Sequence, residues 1–219
     1  MRAWAHSGLW EAVAAELAGH LEAGLQRLLT EDVLRFAAAR QLVARGCDPA
    51  LIRLEWPHPQ LPGARVDLVY GTPVLAAIEF KYPREPTGKN LPYTMVLGHI
   101  LKDLYRLSLL PHGDRVFALL ETDRLRRYLA GAAGRYGIDL DRDAIVLDPD
   151  AAALLPATAS AVIGPDLLRR RVTAARLCHL PVGPSAQLSV YLVDGPTETA
   201  TEAAPSALHH EPAAAPPHG

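Results

Sequence analysis

The fold is decided by residues 65–84, RVDLVYGTPVLAAIEFKYPR, which are expected to form two short strands around a turn at Gly71-Thr72-Pro73. If Tyr70 lies opposite Val74 in an antiparallel pair, alternate residues share a face of the pair. One face is then wholly apolar. The other face carries three ionisable residues in an otherwise apolar stretch, namely Asp67, Glu79 and Lys81.

Two carboxylates and one ammonium on a common strand face suit a particular chemistry. In this register Asp67 is the diagonal neighbour of Glu79, with their Cβ atoms about 7–8 Å apart. Carboxylates at that separation can hold one Mg²⁺ or Mn²⁺ between them, and the metal would lower the pKa of a bound water and neutralise a phosphate. Lys81 would orient that water or stabilise developing charge. The pattern therefore favours phosphodiester hydrolysis.

A purely structural interpretation of the same three residues stays open. Asp67, Glu79 and Lys81 could form a cross-strand ion-pair cluster on a solvated face, where such pairs contribute little to stability. Val69, Leu75 and Ala77 share that face, which indicates that it is partly covered. The residues alone leave both interpretations in place.

The order of these residues resembles the signature of the PD-(D/E)XK nuclease superfamily. Asp67 precedes Glu79-Phe80-Lys81, and the superfamily carries an Asp and an (Asp/Glu)-x-Lys on adjacent strands; Val66 stands where many members have Pro. Upstream, a helix that opens at Thr30-Glu31 and a strand near residues 51–57 resemble the superfamily core. The resemblance covers about residues 30–123.

The resemblance implies a fold, an activity and a set of roles. The fold would be α/β, with a mixed central sheet of four to five strands flanked by helices, in the restriction-endonuclease-like arrangement. The activity would be Mg²⁺- or Mn²⁺-dependent hydrolysis of DNA, with RNA not excluded. The ligands would be Asp67, Glu79 and the backbone carbonyl of Phe80, while Lys81 acts on the attacking water and Glu31 assists. The alternative is a non-catalytic nucleic-acid or protein-binding module that keeps the fold.

Four further residues, three of them cationic and one a histidine, are candidates for binding the substrate. Arg84 and Lys89 lie in a Pro- and Gly-rich loop after Lys81 and could hold a phosphate backbone, although exposed loop cations are usually only solvated. His99 and Lys102 lie on a helix expected at residues 91–110, and the resemblance implies that its polar residues face the active site. An ordinary solvated helix face is the alternative for these two residues.

The chain of 219 residues is long enough for one main domain. Apolar residues at helical spacing predict an N-terminal amphipathic helix within residues 1–29, at about 8–29, which packs on the domain or on a partner, including a second copy. Residues 30–194 form the nuclease-like domain. Residues 195–219 lack large apolar side chains almost entirely and are expected to be a disordered tail.

Composition narrows the function classes further. The net charge of −2 does not indicate a nucleic-acid binder through bulk electrostatics, although a local basic patch would suffice. The two cysteines, Cys47 and Cys178, fit a reducing compartment and stand in no zinc-binding pattern. No apolar run approaches the about 20 residues that span a bilayer. We therefore expect a soluble, cytoplasmic protein with no membrane partner.

Overall fold

The computed structural model describes residues 3–83 and 93–195, which form an α/β fold with a mixed sheet of seven strands. The strands are β1 (Ile52–Pro57), β2 (Arg65–Tyr70), β3 (Ala76–Lys81), β4 (Asp114–Thr122), β5 (Ala144–Leu147), β6 (Val172–Val182) and β7 (Ala186–Val193). The helices are α1 (Ser7–Glu22), α2 (Glu31–Ala44), α3 (Tyr93–Ser108), α4 (Asp123–Tyr136), α5 (Pro149–Ala153), α6 (Ala157–Ile163) and α7 (Pro165–Leu168).

The strand order across the sheet is β1-β2-β3-β4-β7-β6-β5, with β3 and β4 parallel and every other pair antiparallel. The expected count of four to five strands was wrong. The C-terminal strands do not stand apart from the core, because β7 pairs along the free edge of β4 and carries β6 and β5 outward with it.

The turn between β2 and β3 differs from the prediction. Tyr70 pairs with Ala76 and not with Val74, so the connection has five residues, 71–75. Gly71 has φ of 94°, and a Cβ there would lie 2.8 Å from the carbonyl oxygen of Pro73. A slip of two residues preserves the alternation of side chains. The observed pairing ends at Leu68 and Ile78, so Asp67 and Glu79 lie just beyond the paired residues and the predicted diagonal pair is not formed.

Helices cover both faces of the sheet. Helices α3 to α7 pack on one face, against residues that include Val69, Ala77, Phe117 and Tyr191. Helices α1 and α2 pack on the other face, against Leu68, Ile78, Phe80 and their neighbours. Val66 packs with the α3 side although Leu68 packs with the α1 side, so β2 departs from strict alternation next to Asp67 and the predicted wholly apolar face is not continuous.

Helix α1 is shorter than the predicted 8–29, because it ends at Glu22 and Gly24 follows in the left-handed conformation at φ of 74°. Its buried residues Leu9, Trp10, Val13 and Leu17 pack within this chain, against α2 and the sheet. Leu25 and Leu28, beyond the helix end, are exposed. A partner that binds through this N-terminal segment stays a prediction.

Most other element predictions hold. Helix α2 begins where Thr30 caps it, since the Val33 N–H donates to Thr30 Oγ1 at 3.2 Å. Residues 151–163, which the sequence left unplaced, belong largely to α5 and α6. Residues 84–92 and nearly all of the predicted tail, 196–219, lie outside the described residues. Across 3–83 and 93–195, no helix is long and apolar enough to span a membrane.

Gly98 allows the close approach of α6 to α3, because a Cβ at this position would lie 2.9 Å from both Ala159 O and Val162 Cβ. Gly98→Ala is therefore expected to lower the free energy of unfolding by about 1–3 kcal/mol through overpacking. The matched control is Gly131→Ala in α4, where the nearest atom is 3.7 Å away. That change is expected to stabilise by up to about 1 kcal/mol through helix propensity. Urea unfolding measures both, and equal effects would contradict this account of Gly98.

Candidate active site

The structure brings together the four residues that the sequence singled out for catalysis. Asp67 Oδ2 accepts a hydrogen bond from the Phe80 N–H at 2.7 Å, and Asp67 lies close enough to Glu79 for its charge to raise the pKa of Glu79. Lys81 Nζ lies 3.5 Å from Glu31 Oε2. The same Glu31 oxygen accepts from the Tyr82 N–H at 3.3 Å, which ties the start of α2 to the end of β3.

Asp67 reaches this place because β2 and β3 separate there. Their backbone pairing extends only to Leu68 and Ile78 at this end. The Phe80 N–H, beyond the paired region, would otherwise lack a partner toward β2. The Asp67 carboxylate supplies that partner and so lies between the strands, where its second oxygen is directed toward other groups of the site.

Helix α3 contributes two residues that the sequence analysis did not select. Asp103 Oδ2 lies 2.9 Å from Lys81 Nζ, and Arg106 Nη2 lies 3.2 Å from Glu79 Oε1. Arg106 Nη1 also lies 3.1 Å from Asp103 Oδ1. Both belong to the polar side of this helix, which also carries His99 and Lys102 and which we call the polar stripe. Asp103 is only 5% exposed. In the sequence, Asp103 and Arg106 are neighbours of Leu104, Leu107 and other apolar residues. That pattern could have indicated that this part of the polar stripe is covered.

Arg35 of α2 is the third residue that the sequence analysis missed. Its guanidinium lies 3.4 Å from Asp67 Oδ1, 2.5 Å from Glu55 Oε1 and 3.1 Å from Asp32 Oδ1. The side chain is only 12% exposed. Arg35 follows Glu31 by four residues and therefore lies on the same helix face, which is the pattern that could have identified it. Glu55 is exposed, and besides its contact with Arg35 it lines the cleft beside Asp67.

The candidate substrate-binding residues are distributed unequally. Lys102 lines an open cleft of about 610 Å³ together with Asp67, Arg106 and Arg65. His99 is largely exposed, and partial burial together with the positive charge of Lys81 lowers its pKa. Arg84 and Lys89 lie outside the described residues. The cleft therefore joins Lys102 directly to the carboxylate cluster.

Burial dominates the electrostatics of the site. It raises the pKa of Glu31, Asp67 and Glu79, and the nearby charges of Asp103 and Asp67 raise the pKa of Glu79 further. Burial alone would lower the pKa of Lys81, but Asp103 and Glu31 more than offset this and the pKa is raised. Lys81 is therefore an ammonium at neutral pH. The carboxyl groups of Glu31, Asp67, Glu79 and Asp103 outnumber the cations Arg35, Lys81 and Arg106.

The donor set fits a metal ion that keeps much of its water. In the described part of the chain, no group of three or more His, Cys, Asp and Glu residues is arranged to hold a metal ion. Two buried oxygens, Glu79 Oε1 and Asp103 Oδ2, accept no hydrogen bond from residues 3–83 and 93–195, although each faces a cation. Mg²⁺ is commonly held by one or two carboxylates plus water and substrate phosphate. The pair of Asp67 and Glu79 fits that pattern, and an all-protein metal cage does not.

In comparisons with known proteins, no family model, no curated protein and no solved structure matches the chain.

Arg106 is the main counter-charge of the buried Glu79, whose side chain is 4% exposed. Arg106→Gln is expected to lower the free energy of unfolding by roughly 3 kcal/mol at pH 8 in metal-free buffer, because it leaves a buried carboxylate unpaired. The loss should be smaller at pH 5. Because the pKa of Glu79 is raised, its carboxyl group takes up a proton as the pH falls, and a neutral carboxyl group no longer destabilises the fold. Urea unfolding at both pH values measures this.

The control for that measurement is Arg142→Gln. Arg142 pairs with Asp139 at 3.1 Å in the same i,i+3 spacing as Arg106 and Asp103, but its side chain is 75% exposed. A loss below about 1 kcal/mol is expected there. Adding Glu79→Gln to Arg106→Gln should recover part of the lost stability. No recovery, or equal losses for the two single variants, would show that Arg106 does not balance Glu79.

Proposed function

We propose that this protein is a metal-dependent nuclease that hydrolyses DNA phosphodiester bonds on a restriction-endonuclease-like fold. The observation that carries the proposal is the convergence of Asp67, Glu79 and Lys81 at the point where β2 and β3 separate, beside an open cleft. A buried carboxylate pair with an ammonium next to it is costly to keep in a fold, and phosphodiester hydrolysis uses all three groups.

Asp67 and Glu79 would hold Mg²⁺ or Mn²⁺, with the backbone carbonyl of Phe80 as a further ligand. When bound, the metal supplies a water of lowered pKa and neutralises phosphate charge. The Phe80 N–H holds one oxygen of Asp67, so that carboxylate is fixed before any ligand arrives. Glu79 brings an oxygen that accepts no hydrogen bond from any residue that the structure describes.

Lys81 would act as a hydrogen-bond donor and a positive charge, since its raised pKa keeps it protonated. Asp103 and Glu31 hold its ammonium from two helices, at 2.9 and 3.5 Å. In this position Lys81 can orient the attacking water or stabilise charge that develops on the phosphate. Glu31 would assist as a proton acceptor, because burial raises its pKa toward the range that suits a general base.

The cleft beside the cluster would receive the nucleic-acid backbone. Arg65 and Lys102 line it, and both can contact phosphate oxygens. His99, Arg84 and Lys89 remain proposed substrate contacts from the sequence. A local patch of this kind is compatible with the net charge of −2, since phosphate contacts depend on the charge near the strand.

One observation favours a second candidate, a non-catalytic nucleic-acid or protein-binding module. Arg35 and Arg106 already pair with Asp67 and Glu79, so the carboxylates are compensated without any metal. In such a module the cluster would serve only to join α2, α3 and the sheet. The two candidates differ in whether a divalent cation displaces these arginines.

Cleavage assays test the nuclease proposal directly. We expect wild-type protein with Mg²⁺ or Mn²⁺ to cleave DNA, and EDTA to abolish cleavage. Lys81→Ala and Asp67→Asn should each lower the rate by about 10²-fold or more, because each removes a group that acts in the transition state. Single-stranded DNA, double-stranded DNA and RNA of matched sequence serve as substrates. Glu11→Gln, an exposed carboxylate of α1, is the control and should retain the wild-type rate.

Cleavage that survives both site variants would overturn the assignment, and so would the absence of cleavage on all three substrates with either metal.

Calorimetric titration with Mn²⁺ separates the two candidates without relying on cleavage. The nuclease proposal predicts binding that Glu79→Gln weakens by about tenfold or more, because one of two carboxylate ligands is lost. Arg106→Gln should leave Mn²⁺ affinity unchanged or stronger, since it removes the cation that competes for Glu79. Binding that does not depend on Glu79 would favour the non-catalytic module. Thermal unfolding of each variant checks that it is folded.

A further inference from the structure

A second polar cleft lies on the far half of the sheet. It has a volume of about 480 Å³ and is lined by Arg126, Arg127 and Ala130 of α4, Arg176 and His179 of β6, and Asp141. β6 is three strands from β3 in the sheet order, which corresponds to about 14 Å at the usual strand spacing. This cleft is therefore separate from the cluster of Asp67, Glu79 and Lys81.

The side chains that line the cleft carry a net positive charge. Three arginines face one aspartate there, and among the described residues Arg127 has no ion-pair partner. Arg126 pairs with Asp123 at 2.9 Å through one nitrogen, and Arg176 pairs with Asp143 at 2.7 Å and bonds the Asp141 carbonyl at 2.6 Å. These bonds hold two guanidinium groups in place, and each guanidinium has more donors than its partners use.

Beneath the cleft runs a chain of hydrogen bonds, which we name the relay. It consists of the buried Glu121 and Ser189 and of His179, which is exposed in the cleft. Ser189 Oγ donates to Glu121 Oε1 at 2.9 Å, and His179 Nδ1 lies 2.8 Å from Ser189 Oγ. Glu121 and Ser189 are 4% and 1% exposed. Apolar residues in place of Glu121 and Ser189 would cost less free energy to bury. The fold nevertheless keeps a buried carboxyl group that is connected through Ser189 to the imidazole of His179.

The relay couples the protonation of Glu121 to the second ring nitrogen of His179. Ser189 has one proton to donate. When Glu121 is ionised, Ser189 donates to it, so neutral His179 must donate from Nδ1 and present a lone pair at Nε2. When Glu121 is neutral, it donates to Ser189, which donates to Nδ1, and Nε2 then carries the proton. An ionised Glu121 beside doubly protonated His179 has the same number of protons and the same donor at Nε2.

Within the described residues, His179 Nε2 makes no hydrogen bond, and His179 lines the cleft. A bound oxyanion requires a donor at Nε2, because a lone pair there would repel it. The form with one more proton is therefore the form that accepts an anion. Burial raises the pKa of Glu121 to about 7, so this form is populated near neutral pH.

We propose that this cleft binds a tetrahedral phosphate-type anion through Arg127, Arg126, Arg176 and His179 Nε2, and that binding takes up one proton into the relay. Planar guanidinium groups match the oxygens of such an anion. The ligand is a phosphate group, either a monoester such as a strand end or a diester within a strand. This site is independent of the proposed metal cluster, and its test needs no divalent cation.

Charged and titratable groups from several elements surround the relay. They are Arg126 and Arg127 with Asp123 on α4, Asp141 and Asp143 in the segment before β5, Arg176 on β6 and Tyr191 on β7. Arginine does not titrate near neutrality, and burial raises the pKa of Tyr191 above its ordinary value. Glu121, whose pKa burial raises to about 7, is therefore the group on which the expected pH dependence between pH 6 and 8 rests.

The test is titration of the full chain in EDTA with sodium sulfate, whose charge is constant between pH 6 and 8, followed by nuclear magnetic resonance. We expect saturable shifts of Arg127, Arg176 and His179 signals, with affinity about tenfold higher at pH 6 than at pH 8. Arg127→Gln should weaken binding about tenfold. Arg135→Gln, on the same helix but outside the cleft, should leave the affinity unchanged.

Glu121→Gln gives the most specific result. A glutamine amide does not titrate, and it can donate to Ser189 through its NH₂ group or accept from it through its carbonyl oxygen. The relay should then take up no proton at position 121, and sulfate affinity should change much less between pH 6 and pH 8 than in the wild-type protein. Imidazole ¹⁵N shifts of His179 report the tautomer directly. Ribose 5-phosphate and dimethyl phosphate, used as further probes, distinguish a monoester site from a diester site.

Three results would each overturn the proposal: no saturable binding of any probe by folded wild-type protein, equal loss of affinity in Arg127→Gln and Arg135→Gln, or unchanged pH dependence in folded Glu121→Gln.

Discussion

The ion pair between Glu79 and Arg106 is the constraint on which the structure around the site depends. Glu79 lies in a strand that is covered on both faces, where an unpaired carboxylate would destabilise the fold by several kcal/mol. Its counter-charge must therefore come from the helix above it, and this fixes where α3 lies along the sheet. Asp103 and Lys81 then complete a network in which each charged group faces one of opposite sign.

The need for counter-charges at buried groups also explains how helix α2 is attached to the other face of the sheet. Helix α2 brings Arg35 to Asp67 and Glu31 to Lys81, so helices from both faces of the sheet meet the cluster at the end of β3. The β2 and β3 strands can separate at this point because the Asp67 side chain satisfies the Phe80 N–H. The opening of the sheet and the placement of the charges are thus one feature.

The features of this arrangement that depend on local periodicity could be predicted from the sequence. The strand pair and the Thr30 cap follow from alternation and capping, and a slip of two residues did not disturb them. Asp67 reaches Glu79 because the two strands separate beside it, which alternation does not predict. Arg35, Asp103 and Arg106 were missed because their burial depends on which helix face meets the sheet. The seven-strand sheet was underestimated because the pairing of β7 with β4 is a contact between distant segments that no local pattern contains.

The packing of α1 has a consequence for the order in which the chain can mature. Its apolar residues share one cluster with Val182, Leu188 and Val190 of the last two strands, and the Trp4 indole donates to Asp114, 110 residues away. Helix α1 is therefore fully covered only after β6 and β7 have been synthesised. Contacts of such long sequence separation slow folding and leave apolar surface exposed while the domain is incomplete.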